Sequence, residues 1–120
     1  MKLYDYLISN EVQNSDEITV WDTDYDLEVY FYKPEENPDI WDKAKIKLAQ
    51  NLEIDEILRD QTVIVYLSKL IEDHLKDLKK ADLFISYDLD DIMDDLPNIL
   101  AGDVSEEWFE KFVSVLNGEE

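Results

Sequence analysis

The strongest constraint on the fold is an alternation of apolar and polar side chains between residues 17 and 32. Aliphatic side chains and Phe31 occupy every second position of two runs, 18–20 and 27–31. A period of two with β-branched and aromatic residues is typical of strands. The residues between the runs, Asp22 to Asp26, favour a turn. We therefore predict a β-hairpin over this stretch.

The other face of this hairpin carries side chains that are aromatic or acidic. They are Glu17, Trp21, Glu28, Tyr30 and Tyr32. Large aromatic side chains are costly to leave in water, so we expect a helix to cover this face. The alternative is a face that is open to a partner.

A second hairpin is expected between residues 53 and 67, with strands at Glu53–Leu58 and Thr62–Leu67 and a turn at Arg59–Gln61. Residues 63–67 are apolar at nearly every position, which is typical of a strand covered on both faces. This strand should be the most buried one in the sheet.

The rest of the chain is predicted to be mainly helical. Its apolar residues recur at helical spacing, and residues that typically begin or end helices flank them. The fold class is therefore α+β, in a single domain over residues 1–120. We expect a four-stranded, mainly antiparallel sheet of two β-hairpins packed with four to five helices. A short helix is expected at Lys2–Ser9, and further helices start at Asn37-Pro38, Ser68, Asp88 and Ser105. The first, second and last of these four end near Leu52, Leu83 and Asn117-Gly118. The helix from Asp88 bends or ends near Pro97, and Gly102 is a plausible stop.

Residues 81–110 contain ten carboxylates and no Lys, Arg or His. Apolar residues at 89, 92, 93 and 96 keep helical spacing, which turns the aspartates between them outward. The pattern indicates a folded acidic surface, not an unstructured acidic tail. A solvated face kept for solubility is the alternative. The acidic residues predicted on this surface are Asp88, Asp90, Asp91, Asp94 and Asp95.

Charge is segregated along the chain, whose formal net charge is −20. Residues 3–32 hold eight acids and no base, whereas residues 33–80 hold eleven acids and nine bases. Acids kept for general solubility would be spread throughout, so the segregation favours a dedicated acidic surface. Such a field repels nucleic acid and anionic membranes and attracts basic partners.

The composition excludes several classes of protein. A hydrophobic content of 45% is ample for a core, so the charge does not indicate disorder. The absence of cysteine excludes disulfides, zinc–thiolate centres and cysteine nucleophiles. Asp5 interrupts the N-terminal stretch, so no signal peptide is expected. No segment approaches the length of a membrane span, and we expect a cytoplasmic protein.

The sequence DTDYD at residues 22–26 resembles two known kinds of site. It begins like a calcium-binding EF-hand loop, but Leu27 stands where Gly is required and Lys33 where Glu is required. It also resembles the aspartate pair of haloacid-dehalogenase-type phosphatases, which need a parallel sheet and a much longer chain. We therefore expect no cofactor and no metal centre here. A weak, adventitious divalent-ion site is the alternative.

Other catalytic patterns are missing from the sequence. His74 is the only histidine, and Gly102 and Gly118 are the only glycines, so the chain has neither a nucleophile elbow nor a phosphate-binding loop. A catalytic carboxylate pair needs a dry, concave site to shift its pKa values, whereas these acids are predicted to be solvated. We interpret the protein as a non-enzyme.

Two stretches resemble a family of small acidic proteins carried on plasmids, conjugative elements and phages of Gram-positive bacteria. They are ITVWDTDYDLEVYFY at residues 18–32 and IMDDLPNILAGDVSEEWFEKFV at residues 92–113. The resemblance covers most of the chain. It implies an inhibitor of host defence, of the anti-CRISPR or anti-restriction DNA-mimic type, above all an anti-CRISPR protein that acts on a type II effector nuclease. The family has no motif of known mechanism, so the resemblance assigns no binding residues.

The leading hypothesis is a non-enzymatic inhibitor that mimics nucleic acid in the basic groove of a defence nuclease. Proteins hold nucleic acid with Lys and Arg, and a rigid array of carboxylates can occupy the same groove. The partner is then a basic nucleic-acid-binding protein; direct binding to nucleic acid or membrane is not expected. A second acidic patch is predicted at Asp22, Asp24, Asp26 and Glu28.

Two alternatives remain open at this point. One is an immunity protein for a nuclease toxin, which uses the same charge complementarity. The other is a regulatory or adaptor domain that binds through Trp21, Tyr30 and Tyr32, while its charge serves solubility. Salt separates the adaptor from the other two, because apolar binding survives salt that screens a charge array.

The first prediction concerns chemistry. Purified protein should show no hydrolase or nuclease turnover, with or without added divalent metal, because the chain lacks the nucleophiles and loops that these reactions use. Standard ester, phosphate-ester and DNA substrates provide the measurement. Turnover that disappears in Asp22→Asn or Asp24→Asn would show that residues 22–26 are a catalytic loop.

Overall fold

In a computed structural model, which describes residues 1–118, the chain forms one four-stranded sheet with its helices packed against it. The strand order is β2-β1-β4-β3. Each sequence-adjacent pair is antiparallel, as predicted for two hairpins, and the central pair β1–β4 is parallel. The α+β class is thereby confirmed, with a mixed sheet. The strands are β1 (Glu17–Asp22), β2 (Leu27–Tyr32), β3 (Ile54–Ile57) and β4 (Val63–Val65).

The parallel pairing of β1 and β4 joins the two hairpins into one sheet. Val20 lies opposite Val63, and Trp21 lies opposite Ile64. Because side chains alternate across a strand, the two valines face the core and Trp21 and Ile64 face the other side. All three residues of β4 are buried, with Val63 and Val65 fully so. The prediction that this strand is the most buried is confirmed.

The described residues contain six helices, against the four to five predicted. The expected helix from Ser68 to Leu83 is two helices, because His74 leaves the helical conformation. A ring nitrogen of His74 lies 2.9 Å from the carbonyl oxygen of Leu70, four residues back, and so occupies the acceptor of the helical bond. The helices are α1 (Leu3–Leu7), α2 (Ile40–Asn51), α3 (Leu67–Asp73), α4 (Leu75–Lys80), α5 (Leu89–Leu100) and α6 (Glu106–Leu116).

Several helix boundaries follow the sequence and others differ from it. Ser105 caps α6 by accepting from the Trp108 N–H, and Gly102 ends α5 with a φ of +102°. The N-cap of α2 is Asp39, not Asn37, since its carboxylate accepts from the Asp42 N–H at 2.8 Å. Residue 66, not Ser68, is the N-cap of α3.

Pro97 lies inside α5, so of the two positions at which an end was predicted, Gly102 is the one observed. A proline removes one backbone donor from a helix. The last turn of α5 still forms because Ile99 and Leu100 are buried in the core. Packing of this apolar face therefore outweighs the missing hydrogen bond.

Aromatic side chains of α6 form the centre of the core. Phe109 and Phe112 are fully buried. Trp41 of α2 stacks on Phe109 with ring centroids 3.9 Å apart, and Trp108 stacks on Phe112 at 5.4 Å. The aromatic stripe of this helix is thus core packing.

The carboxylate of Asp22, at the end of β1, is buried and joins three parts of the chain. It accepts the backbone N–H of Ser68 at 2.8 Å and that of Asp24 at 3.0 Å. The first bond fixes the start of α3 to the end of β1, and the second closes the turn between β1 and β2. Because both donors are backbone groups, the carboxylate has a structural role.

Substitution of Asp22 by Ala should destabilise the fold by about 1–3 kcal/mol, since it leaves the Ser68 N–H buried without an acceptor. Asp22→Asn keeps an acceptor oxygen and should cost clearly less. Chemical denaturation measures both, and Asp24→Ala is the control because that side chain is exposed. Equal stability of Asp22→Ala and Asp24→Ala would contradict the structural role.

Candidate protein-binding surface

Helix α5 presents the predicted acidic surface. Its buried side is formed by Ile92, Met93 and Leu96. On the opposite side Asp90 and Asp94 are exposed, together with Asp88 and Asp91, while Asp95 is half-buried. The five aspartates of the prediction therefore lie along one helix, and four of them are open to solvent.

Two of these aspartates are engaged in holding the helix. Asp88 accepts from the Asp91 N–H at 2.9 Å, and Asp91 accepts from the Asp88 N–H at 3.2 Å, which is a capping box. Acids in the first turn also interact favourably with the helix dipole. Helix stability is thus a sufficient reason for Asp88, Asp90 and Asp91.

The folding of α5 offers no comparable reason for Asp94 and Asp95. They lie in the middle of the helix, where Asp has a low helix propensity. They also stand four residues after Asp90 and Asp91, so each makes a like-charge pair that destabilises the helix. Residues 81–110 contain no base that could offset these pairs within the helix. The sequence thus keeps a charge arrangement that costs stability.

The turn of the first hairpin meets the start of α5. Tyr25 of the turn and Asp90 of α5 line the same open concavity. Its other lining residues are Asp24, Ser68, Lys69 and Glu72. The three carboxylates there outnumber the one ammonium group. The acidic surface of α5 therefore continues onto the hairpin turn and α3.

Only part of the second predicted patch joins this surface. Asp24 does, and Asp26 is exposed in the same turn, where it adopts a left-handed φ of +50°. Asp22 does not, because its carboxylate is buried. Glu28 belongs to a different surface, the outer face of β2. The four acids predicted as one patch thus occupy three environments.

The aromatic outer face of the first hairpin is open, and the expectation that a helix covers it is wrong. Tyr30 is 43% exposed and Tyr32 is 52% exposed, while Trp21 is half-buried. Within residues 1–118 the helices pack on the side of the sheet that holds Val20, Val63 and the rest of the core. The three aromatic residues predicted as partner-binding are therefore accessible to different degrees.

Some residues of these surfaces were not predicted from the sequence. Glu72 reaches the acidic concavity because α3 lies beside the hairpin turn, where the Asp22–Ser68 bond holds the start of the helix. Ile64 lies on the outer face beside Trp21 through the parallel pairing. Strand alternation alone places Ile64 on the face opposite Val63 and Val65. It does not predict which strand lies beside Ile64 in the sheet.

A separate cavity of about 730 Å³ lies between α1, α2 and the end of β2. Two ammonium groups line it. Lys45 donates to the carbonyl oxygen of Tyr30 at 2.9 Å, and Lys33 donates to those of Ser9 and Val12 at 3.0 Å. Burial lowers the pKa of Lys45 below its ordinary value. Because both amines are bound to the backbone, they serve the fold.

The described part of the chain shows neither a metal cluster nor a membrane span. Residues 1–118 bring together no group of three or more His, Asp or Glu side chains that could hold a metal ion. No helix in the same range is both long enough and apolar enough to cross a bilayer.

Comparisons with known proteins add no relative. No family model, curated protein or solved structure matches the chain. The resemblance of residues 18–32 and 92–113 to acidic proteins of mobile elements therefore stays a prediction. The surface itself must support any functional proposal.

The acidic surroundings of Tyr25 have a measurable consequence. Burial raises the pKa of Tyr25, and the nearby carboxylates of Asp90, Glu72 and Asp22 raise it further. The neutral phenol is therefore favoured in the folded state. Its contribution to stability is present below the ordinary tyrosine pKa of about 10 and is lost as the pH rises through the raised value.

Asp90→Asn should lower the pKa of Tyr25, because it removes the nearest negative charge. Asp94→Asn, one turn along α5, is the matched control and should change it little. Carbon-13 NMR of the tyrosine ring, followed through an alkaline titration, measures each value. If Tyr25 titrates at the same pH in both variants, the two surfaces are not joined through Asp90.

Proposed function

We propose that the protein is a non-enzymatic inhibitor of a bacterial defence nuclease. It acts in the host cytoplasm as an anti-CRISPR protein and occupies the basic nucleic-acid groove of a type II effector. The acidic surface of α5 and the adjoining hairpin turn provide the contact. The observation that carries the proposal is the pair Asp94 and Asp95, whose charge the folding of the helix does not require.

The geometry of the surface suits a groove that binds nucleic acid. Successive carboxylates at positions i and i+4 of a helix lie about 6 Å apart. Asp90 and Asp94 have this spacing on a helix whose start is fixed by a capping box. A rigid array loses less conformational freedom on binding than a flexible acidic tail. Basic side chains that are arranged to meet phosphates can therefore pair with it.

The overall field supports the same class of partner. A net charge of −20 on 120 residues attracts basic surfaces, speeds their association and repels nucleic acid. The resemblance to acidic proteins of mobile elements, as an expectation from the sequence, names the defence nuclease. An immunity protein for a nuclease toxin would use the same charge complementarity. The two functions therefore differ in which nuclease the protein binds, a defence nuclease or a toxin.

A second candidate function, a regulatory or adaptor domain, is favoured by one observation. The outer sheet face leaves Tyr30 and Tyr32 exposed. An adaptor that binds through this face needs no charge on α5. Its affinity would persist at salt concentrations that screen the acidic surface.

The deciding test neutralises Asp90, Asp91, Asp94 and Asp95 together by substitution with Asn. An exposed charge pair is worth about 0.5 kcal/mol, so loss of four pairs should weaken inhibition roughly 30-fold. The measurement is competition between the protein and labelled guide RNA or DNA for the effector nuclease, at low and high salt. Inhibition by the parent should fall steeply with salt, because several screened pairs form at once.

The matched control removes the same amount of charge elsewhere. Asp5, Glu11, Glu35 and Glu36 are exposed acids on α1 and in loops, and their conversion to amides should leave inhibition close to that of the parent. The α5 variant should remain folded in thermal melts, because the loss of two favourable first-turn charges is offset by removal of the like-charge pairs with Asp94 and Asp95. Undiminished inhibition by the folded α5 variant would rule out nucleic-acid mimicry and favour the sheet face.

A further inference from the structure

The outer face of the sheet is an aromatic surface with acidic neighbours. Five side chains of three strands form it, and we call them the open sheet face: Thr19 and Trp21 of β1, Tyr30 and Tyr32 of β2, and Ile64 of β4. The two tyrosines are 43% and 52% exposed, and Ile64 is 8% exposed. Exposed tyrosines beside a tryptophan are typical of binding surfaces.

Carboxylates stand beside these rings in register. Glu17 pairs with Tyr32 across the first hairpin, and Glu28 pairs with Trp21. Both phenols donate to these acids, Tyr32 to Glu17 and Tyr30 to Glu28 at 3.4 Å. Glu56 of β3 lies opposite Ile64 in the register. The strand positions of this face carry no Lys or Arg.

Nucleic acid does not fit this composition. Aromatic side chains on a sheet can stack on bases, but such surfaces hold the phosphates with basic groups. Here the groups beside the rings are carboxylates, and the whole chain is strongly acidic. A second copy of the chain is equally unsuited, because it would bring Glu17 and Glu28 of two molecules of charge −20 together.

The remaining occupant is a cationic segment, and the rings select among cations. A guanidinium group is planar, stacks on aromatic rings and forms two parallel hydrogen bonds with a carboxylate. A lysine ammonium is a compact, strongly hydrated charge that has neither a planar face to stack on a ring nor a fork for two parallel hydrogen bonds. Adjacent rings and carboxylates, as at Trp21 and Glu28, therefore favour arginine.

One donor on this face has no acceptor within the described residues. The indole Nε1 of Trp21 is shielded from water and has no acceptor within residues 1–118. A buried donor without an acceptor is uncommon in folded proteins. A carbonyl oxygen of a bound segment can satisfy it after a small rotation of the ring.

We propose that the open sheet face binds an arginine-bearing segment of a protein partner. A guanidinium group stacks on Trp21 or Tyr30 and pairs with Glu28 or Glu17. This surface is distinct from the acidic side of α5, and its binding does not depend on nuclease inhibition. The open sheet face binds arginine in preference to lysine, whereas the net negative charge of the protein attracts both equally.

The test uses the full chain labelled with nitrogen-15 and two capped peptides of equal length and charge, tetra-arginine and tetra-lysine. The chain has three tryptophans, and Trp41 and Trp108 are stacked on core phenylalanines. The arginine peptide should shift the indole N–H signal of Trp21 more than those of the other two. It should also bind about fivefold more tightly than the lysine peptide.

Paired variants locate the site. Tyr30→Ser with Glu28→Gln should remove the preference for arginine, whereas Glu35→Gln with Glu36→Gln should keep it. The fourfold Asn variant of α5 should also keep it, which separates this proposal from nuclease inhibition. Thermal melts confirm that each variant is folded.

Three outcomes would overturn the proposal. One is equal affinity for both peptides with no selective shift at Trp21. Another is a selective Trp21 shift produced by a single-stranded oligonucleotide instead of the peptide. The third is concentration-dependent dimerisation that the Tyr30→Ser and Glu28→Gln variant abolishes, since a second copy would then be the occupant.

Discussion

The fold depends on the junction between β1 and β4, where the two hairpins become one sheet. Only Val20–Val63 and Trp21–Ile64 are paired in register there. So short a parallel pairing is weak by itself. The buried carboxylate of Asp22 reinforces it by holding the start of α3, which follows β4 directly, at the end of β1. This contact also fixes the relative position of α3 and the hairpin turn, and so forms the acidic concavity.

The helices cover one side of the sheet, and this asymmetry determines which surfaces are free to bind. The core side holds the valines of β1 and β4 and the aromatic residues of α6. The other side keeps its rings at the surface, beside Glu17 and Glu28. An antiparallel hairpin can face water on one side, and the carboxylates keep such a surface soluble. The cost of leaving aromatic side chains in water therefore does not by itself predict whether a helix covers this face of the sheet.

Local signals in the sequence predicted the parts of the fold that local interactions stabilise. Both hairpins, the cap at Ser105 and the end of α5 at Gly102 depend on residues close in sequence, and the structure confirms each. The burial of Asp22 and the openness of the tyrosine face could not be predicted in this way. Each depends on which strand or helix lies beside the residue, and a parallel pairing between residues 20 and 63 leaves no local pattern.

Some carboxylates of the protein are needed for folding, and others are not. Asp22 and Asp88 accept backbone hydrogen bonds, so their acidity is explained by the strand end and the helix cap that they hold. Asp94 and Asp95 repel the acids one turn before them and hold no cap. Each such pair costs the helix roughly 0.2–0.5 kcal/mol. On an otherwise well-capped helix Asp94 and Asp95 add charge that folding does not use, and in the function proposed above a basic partner supplies the counter-charge.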